Sequence, residues 1–185
     1  MFAKVVFIVG MLISAAAQAQ EYGFVAGVHQ TGASTDSEGN TIDSQFNFKT
    51  GLAMGFELAP KMRFRTGALF NRRHVDLNVA PNTKYKIKFD YIDVPANFQY
   101  NFNDTVGLFG GLVVGINVAD KVEAPIGSIA ADPQANGLIP LADVGVNLLF
   151  EDMIGFDFYY ERGLGKFADH WSGFSTFGGN FIYWF

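Results

Sequence analysis

The 185 residues include no cysteine, so there is no thiol to carry a lipid anchor and no disulfide framework to staple a small exported fold. Long apolar runs are missing too. No segment beyond the amino terminus approaches the roughly 20 consecutive apolar residues that a membrane-spanning helix requires. Charge is sparse, at 17% of residues, and acids outnumber bases 18 to 13. That balance excludes the basic footprint demanded by nucleic-acid phosphates, and no nucleic-acid partner is expected. Aromatics and glycine are abundant instead: 20 Phe, 7 Tyr, 2 Trp and 21 Gly. Such a composition, without a helical span, points to β-structure in lipid.

The amino terminus reads as an export signal. Lys4 supplies a positive start, Val5 to Ile13 form an apolar core, and Ala17-Gln18-Ala19 is a small-x-small cleavage site before Gln20. Residues 1–19 are therefore expected to be a cleaved signal peptide and residues 20–185 a single mature domain. Removing 1–19, which hold one lysine and no acid, takes the formal charge from -5 to -6.

The mature chain repeats segments of about ten residues in which apolar and polar or glycine positions alternate, the period of a strand facing lipid on one side. Phe24, Ala26 and Val28 oppose Gly23, Gly27 and His29; Leu52, Met54, Phe56 and Leu58 oppose Gly51, Gly55 and Glu57. The pattern continues to Phe177, Phe181, Tyr183 and Phe185. It predicts an all-β, closed up-and-down antiparallel transmembrane barrel of about eight strands, with both termini periplasmic. Hairpin phase pairs Leu58 with Phe64, Phe102 with Val106 and Phe150 with Ile154, which sets three-residue turns at 60–62, 103–105 and 151–153. Outer loops then fall at 32–47, 80–83, 120–138 and 165–173. One irregularity stands out: Tyr85, Ile87, Phe89 and Tyr91 alternate in one phase, and Ile92, Val94 and Ala96 in the other. A hairpin projecting beyond the membrane explains this better than a pair of bulges.

Alternation alone also fits a soluble barrel with its faces exchanged. Glycine placement argues for a polar interior, because Gly51, Gly67, Gly111, Gly145 and others share the polar face, where a crowded lumen needs room. An eight-stranded interior is filled by side chains, so no wide pore is expected. The inward Glu57, Arg63, Arg65, Asp143, Asn147, Asp157 and Glu161 are expected to form a paired polar network. The assumed turns set Glu57 opposite Arg65, Asn147 opposite Asp157 and Asp143 opposite Glu161. The acids on the strands of these latter two pairs would then need Arg63, Arg73 or Arg162 from neighbouring strands, or a protonated partner.

"YIDVPANFQYNF" (91–102), the glycine-rich "VGLFGGLVVGIN" that follows, "DVGVNLLF" and "FDFYYERGLGKF" resemble strands of the PorT-like outer-membrane β-barrel proteins. The resemblance implies a Gram-negative outer-membrane location and an eight-stranded barrel, and carries over no catalytic residue. The terminal "FIYWF", with Phe181, Tyr183 and Phe185 on one face, looks like the β-signal read by the outer-membrane barrel assembly machinery. Tyr22, Tyr100, Phe102, Trp184 and Phe185 are expected in the periplasmic aromatic girdle.

Chemistry is scarcer. His170-Trp171-Ser172 is similar to the His-x-Ser arrangement of outer-membrane lipid A deacylases, a base beside a hydroxyl, yet no Asp or Glu follows Ser172 to orient the histidine. His29 and His74 lack metal-ligand spacing, and Asp36, Glu38, Asn40 and Asp43 fall short of a calcium loop. No metal or cofactor is expected. The favoured reading is a non-enzymatic barrel with a structural, binding or envelope-assembly role, its partners the outer-membrane lipids, the assembly machinery and a protein at the outer loops. A lipid-modifying enzyme using His170 and Ser172 is the alternative. Deletion of Phe185 should lower the yield of heat-modifiable barrel in isolated outer membranes; an unchanged yield would remove the targeting role.

Overall fold

The computed structural model describes residues 21–35, 41–79, 83–123, 137–165 and 171–185. They form β1 (Glu21–Thr35), β2 (Thr41–Ala59), β3 (Met62–Arg72), β4 (Val75–Val79), β5 (Thr83–Asn101), β6 (Val106–Glu123), β7 (Leu138–Phe150), β8 (Ile154–Gly163) and β9 (Trp171–Trp184). All pairings are antiparallel, and β1 meets both β2 and β9, which closes the sheet into a ring. β3 and β4 share one place in that ring. Both lie between β2 and β5, and their register against β5 runs unbroken from Met62↔Tyr100 to Val79↔Thr83. Nine strands thus occupy eight positions.

The break at Arg73–His74 is mended by a side chain. Asn47 Nδ2 donates to the His74 carbonyl at 3.0 Å, and Asn47 Oδ1 accepts from the His74 N–H at 2.9 Å. Ring closure is equally explicit at the last residue. Tyr22 and Phe185 exchange both backbone hydrogen bonds, at 3.2 and 2.8 Å, and the Trp184 N–H donates to the Met153 carbonyl at 2.7 Å. No backbone edge is then left to hydrocarbon at that seam, where an unpaired amide or carbonyl costs several kcal/mol.

The two faces differ as lipid requires. Phe177 is 64% exposed on the outside of the ring while its neighbour Thr176 is 1% exposed inside. Val28, Leu52, Phe98, Leu112, Val144 and Phe158 continue the outer apolar face, and Asn97, Gln99, Asn147 and Asp157 the inner polar one. Close approach requires glycine at Gly145, where a Cβ would meet the ring of inward Phe109 and the Phe158 carbonyl. The faces are those of a barrel in lipid, not of a soluble one.

One of the three tight turns differs from the expected pairing. The first is shorter than three residues: Ala59 pairs with Met62, Leu58 bulges out of the ladder, and Phe64 stands opposite Phe56 rather than Leu58. Lys61 takes φ +73° behind Pro60 to reverse the chain this quickly. At the third turn Phe150 does stand opposite Ile154, with Glu151 and Asp152 both left-handed at φ +52° and +58°.

At the other end the strands climb higher than the lipid-facing pattern suggested. β2 and β5 have 19 residues and β6 has 18, against 10 for β8. At ~3.3 Å per residue and a tilt of ~40°, 19 residues rise about 45–50 Å, well beyond an apolar band of ~25 Å, whereas 10 residues just match it. The surplus forms a raised wall of β2, β4, β5 and β6 on one side of the mouth. It also explains the phase change in β5, whose odd-numbered residues face inward along its length. Along β5 the inward face is apolar above Asp93, with Ile87, Phe89 and Tyr91, and polar below it, with Asn97 and Gln99. A register shift does occur beside it, between β5 and β6 at Asp90/Tyr91.

Left-handed conformations disfavour a side chain other than Asn or Asp by about 1 kcal/mol. Glu151→Gly should therefore stabilise the refolded barrel by roughly 0.5–1 kcal/mol, read as a higher urea midpoint with an unchanged slope.

Candidate functional site

The lumen is the site with the most chemistry, and alternation builds it. Odd-numbered residues of β2, β3, β5, β7 and β8 converge on one axis, bringing charges from strands far apart in sequence within hydrogen-bond distance. At the turn end, Arg63 meets Glu21 at 2.8 Å, and the guanidinium groups of Arg63 and Arg65 lie 5.5 and 5.7 Å from the ring centre of Trp184. One level higher, Arg65 binds Asp157 through two nitrogens, at 2.6 and 3.2 Å, and donates to Gln99 at 3.0 Å. Asn147 Nδ2 also donates to Asp157, at 2.7 Å.

Next come Lys49 and Arg73, which share Glu161 at 2.6 and 3.1 Å. Arg73 holds Asp93 with both terminal nitrogens, at 2.8 and 2.7 Å, and Asn71 Nδ2 adds a third donor at 2.7 Å. His29 Nε2 donates in turn to Asn71 Oδ1 at 2.7 Å. Above this layer an apolar cluster of Val75, Ile87, Phe89, Tyr91, Val113, Ile139, Leu141 and Phe174 stoppers the mouth, with Arg73 under the rings of Tyr91 and Phe174. The space among the lumenal polar groups is about 40 Å³, room for a water molecule or two.

Arg65, Asn147, Asp157 and Glu161 lie in these contacts, while Asp143 accepts from Asn97 Nδ2 at 2.6 Å and stands opposite Glu161. Glu57 is a correction. It is exposed beside the first turn, opposite Arg63 and not Arg65, because the shorter turn shifts that hairpin by two residues. Arg63 sits at the rim rather than with the Asp157 and Glu161 layers, and Arg162 is on the exposed side of β8. Trp184 is a second correction: it is 3% exposed and points inward, so it lies outside the aromatic girdle. Tyr22 and Tyr183, by contrast, flank Phe185 in outward stacks at 6.4 Å.

Lys49 was not among the expected lumenal residues, although it shares the inward parity of Gly51 and Gly55. Asp93, Asn97 and Gln99 share the polar phase of their segment, but nothing in a one-dimensional pattern says that Lys49 and Glu161 meet across the lumen. His170, Asp36, Glu38 and Asn40 lie outside the described residues, as does the side chain of Ser172. Asp43 meets Lys84 at 3.7 Å, and His74 meets Asp90 at 3.4 Å. No cluster of three metal-ligating side chains occurs among the described residues.

A closed ring of antiparallel strands, apolar outside and stoppered by polar and apolar layers inside, defines a small transmembrane β-barrel. The chain belongs to the family described as outer membrane protein beta-barrel domain, whose model matches residues 16–169, and it is a protein of the outer membrane. No curated protein matches the sequence. Among solved structures, the chain is similar to Ail, the attachment invasion locus protein of Yersinia pestis, in complex with the heparin analogue sucrose octasulfate. That similarity has 16% identity and a TM-score of 0.57, and covers 89% of this chain and 98% of Ail. Neisserial surface protein A is similar at 12% identity and a TM-score of 0.54, over 88% of this chain and 96% of that one. The outer membrane protein OprG of Pseudomonas aeruginosa is similar at 13% identity and a TM-score of 0.53, over 91% and 97%. At such identities the likeness carries the fold.

Removing one partner of a buried ion pair strands the other, at a cost of about 3–5 kcal/mol. Glu161→Gln leaves both Lys49 and Arg73 short of an anion, and should lower the urea midpoint of the refolded barrel by that order. A change within 0.5 kcal/mol would show that the layer is not held by charge.

Proposed function

We propose that this barrel is a non-enzymatic binding or envelope-assembly protein whose working surface is the raised wall and outer loops. The observation that carries the reading is the wall's surplus height. Strand pairing above the apolar band does nothing to satisfy the membrane, yet β2, β4, β5 and β6 continue there in ordered register. The outer face of β5 turns from apolar to charged at this height, with Lys84, Lys86 and Lys88 in alternation. Lys84 is tied to Asp76 at 2.8 Å and Lys88 to Glu123 at 2.6 Å, so the wall is braced as well as soluble. β6 pairs with β7 only as far as Ile116↔Leu138, but with β5 as far as Lys86↔Glu123. Among the described residues, Val118 to Glu123 thus present one unpaired edge, a backbone template for an extended segment of a protein partner.

In this reading residues 1–19 are removed on export, residues 20–185 form the mature barrel, and the turn end with both termini is periplasmic. The barrel assembly machinery inserts the chain through its terminal aromatic face, and outer-membrane lipids cover the apolar belt. The strand motifs of residues 91–102 and beyond support the narrower PorT-like kinship. The stoppered lumen supports a role without solute passage. Ail, similar in fold, was solved with an anionic sugar analogue bound, which is consistent with small barrels of this architecture acting as binders.

Photo-crosslinking amino acids at Glu38, Lys121 and Ile126 in intact cells, with Leu164 on the low side of the rim as control, test the proposal. A discrete protein adduct from Glu38, Lys121 or Ile126 and none from Leu164 is expected; identical adducts from all four, or none from any, would defeat it.

A further inference from the structure

The lumenal charges do not balance. Among the described residues, the enclosed cations of the lumen are Lys49, Arg65 and Arg73, and the enclosed carboxylates are Asp93, Asp143, Asp157 and Glu161. Arg63 and Glu21 form their own pair at the rim, and buried Asp76 belongs to the wall, where Lys84 meets it. Arg65 is committed to Asp157, Arg73 to Asp93 and Glu161, and Lys49 to Glu161. Asp143 is left over. It is 8% exposed, and its backbone register sets it opposite another acid, Glu161.

The hydrogen bonds mark the same residue. Asp143 Oδ2 accepts from Asn97 Nδ2 at 2.6 Å, while Asp143 Oδ1 and Asn97 Oδ1 are both buried without a donor. Two orphaned oxygens therefore belong to the two groups already joined, and both residues line the 40 Å³ lumenal cavity. β6 contributes no competing polar side chain there, because Gly111 faces Asn97 and Phe109 and Val113 flank it. The other ionisable groups around the cavity are Asp93 from β5, Asp157, Tyr159 and Glu161 from β8, Lys49 from β2 and Arg65 from β3, with His29 of β1 beyond them, against Asn71. An isolated buried carboxylate costs too much to persist.

We infer that the Asp143–Asn97 pair binds one unit of positive charge within the barrel, supplied by a proton or by a single alkali cation. A proton on Asp143 Oδ1 donates to Asn97 Oδ1 and closes an acid–amide ring with two hydrogen bonds, satisfying both orphans at once. An alkali cation takes the same two oxygens as ligands, with water in the cavity completing its shell. Either source leaves the lumen neutral.

The test is thermal and urea unfolding of the refolded barrel in lipid nanodiscs, for the wild type, Asp143→Asn and His29→Gln, the last removing the lumenal imidazole. Each is measured from pH 6 to 9, and in sodium or potassium against N-methylglucamine at constant ionic strength. If the charge is a proton, wild-type stability falls as pH rises and is indifferent to the cation; if it is an alkali ion, stability falls when N-methylglucamine replaces sodium or potassium. Asp143→Asn supplies the missing donor without surplus charge, so it should refold, gain about tenfold in its folded-to-unfolded ratio at neutral pH, and lose whichever dependence the wild type shows. His29→Gln should keep it. The inference is overturned if the wild type shows neither dependence, if Asp143→Asn retains it or fails to refold, or if His29→Gln abolishes it.

Discussion

Hydrocarbon offers no partner to a peptide group, and the barrel's form follows from that. Each strand must find neighbours on both sides through the apolar band, which leaves a ring as the only sheet without an exposed edge. The seam between β1 and β9 joins the two ends of the sheet, by Tyr22 and Phe185 at one end and by register as far as Thr35↔Trp171 at the other. Once closed, the ring creates a second problem on its inner side. Eight positions leave a lumen too narrow for bulk water, so polar inward side chains must solvate one another. The Arg65–Asp157 and Arg73–Asp93 pairs are answers to that confinement rather than ornaments on a fold stable without them.

The vertical layering has the same origin. Charged layers occupy the depth at which the outer face must be apolar, while the apolar cluster of Val75, Ile87, Phe89 and Tyr91 sits higher, where the outer face turns charged. Inner and outer faces exchange character near Asp93, so the same strand is a membrane strand below and an ordinary sheet strand above. A wall built this way carries the paired strands of the barrel into water, across the shift at Asp90/Tyr91 and the break at Arg73–His74, so what it presents is joined to the ring.

Period-two patterning made the barrel, its strand number and two of the three tight turns legible, because lipid imposes alternation residue by residue. It failed where lipid ceases to act. The upper parts of β2 and β6 read as loops because their outer faces no longer need apolar side chains, although their backbones remain paired, while that of β5 was legible as a projecting hairpin. The first turn went astray by two residues because Pro60–Lys61 and a bulge at Leu58 leave no hydrophobic mark, and that slip moved Glu57 from a lumenal role to the rim. The lumenal contacts were legible only in part. Parity says which residues point inward, but the pairing of Lys49 with Glu161 or Arg73 with Asp93 depends on stagger around the ring, which strand patterns do not encode.

The inward turn of Trp184 gives the carboxyl-terminal strand two duties. Its outer residues, Phe181, Tyr183 and Phe185, face the lipid, while Trp184 lies between Gly23 and the guanidinium groups of Arg63 and Arg65. Zipping the seam and plugging the bottom of the lumen are therefore one event. A chain whose last strand has not yet docked is both open along its side and leaky at its base, and it loses both defects together.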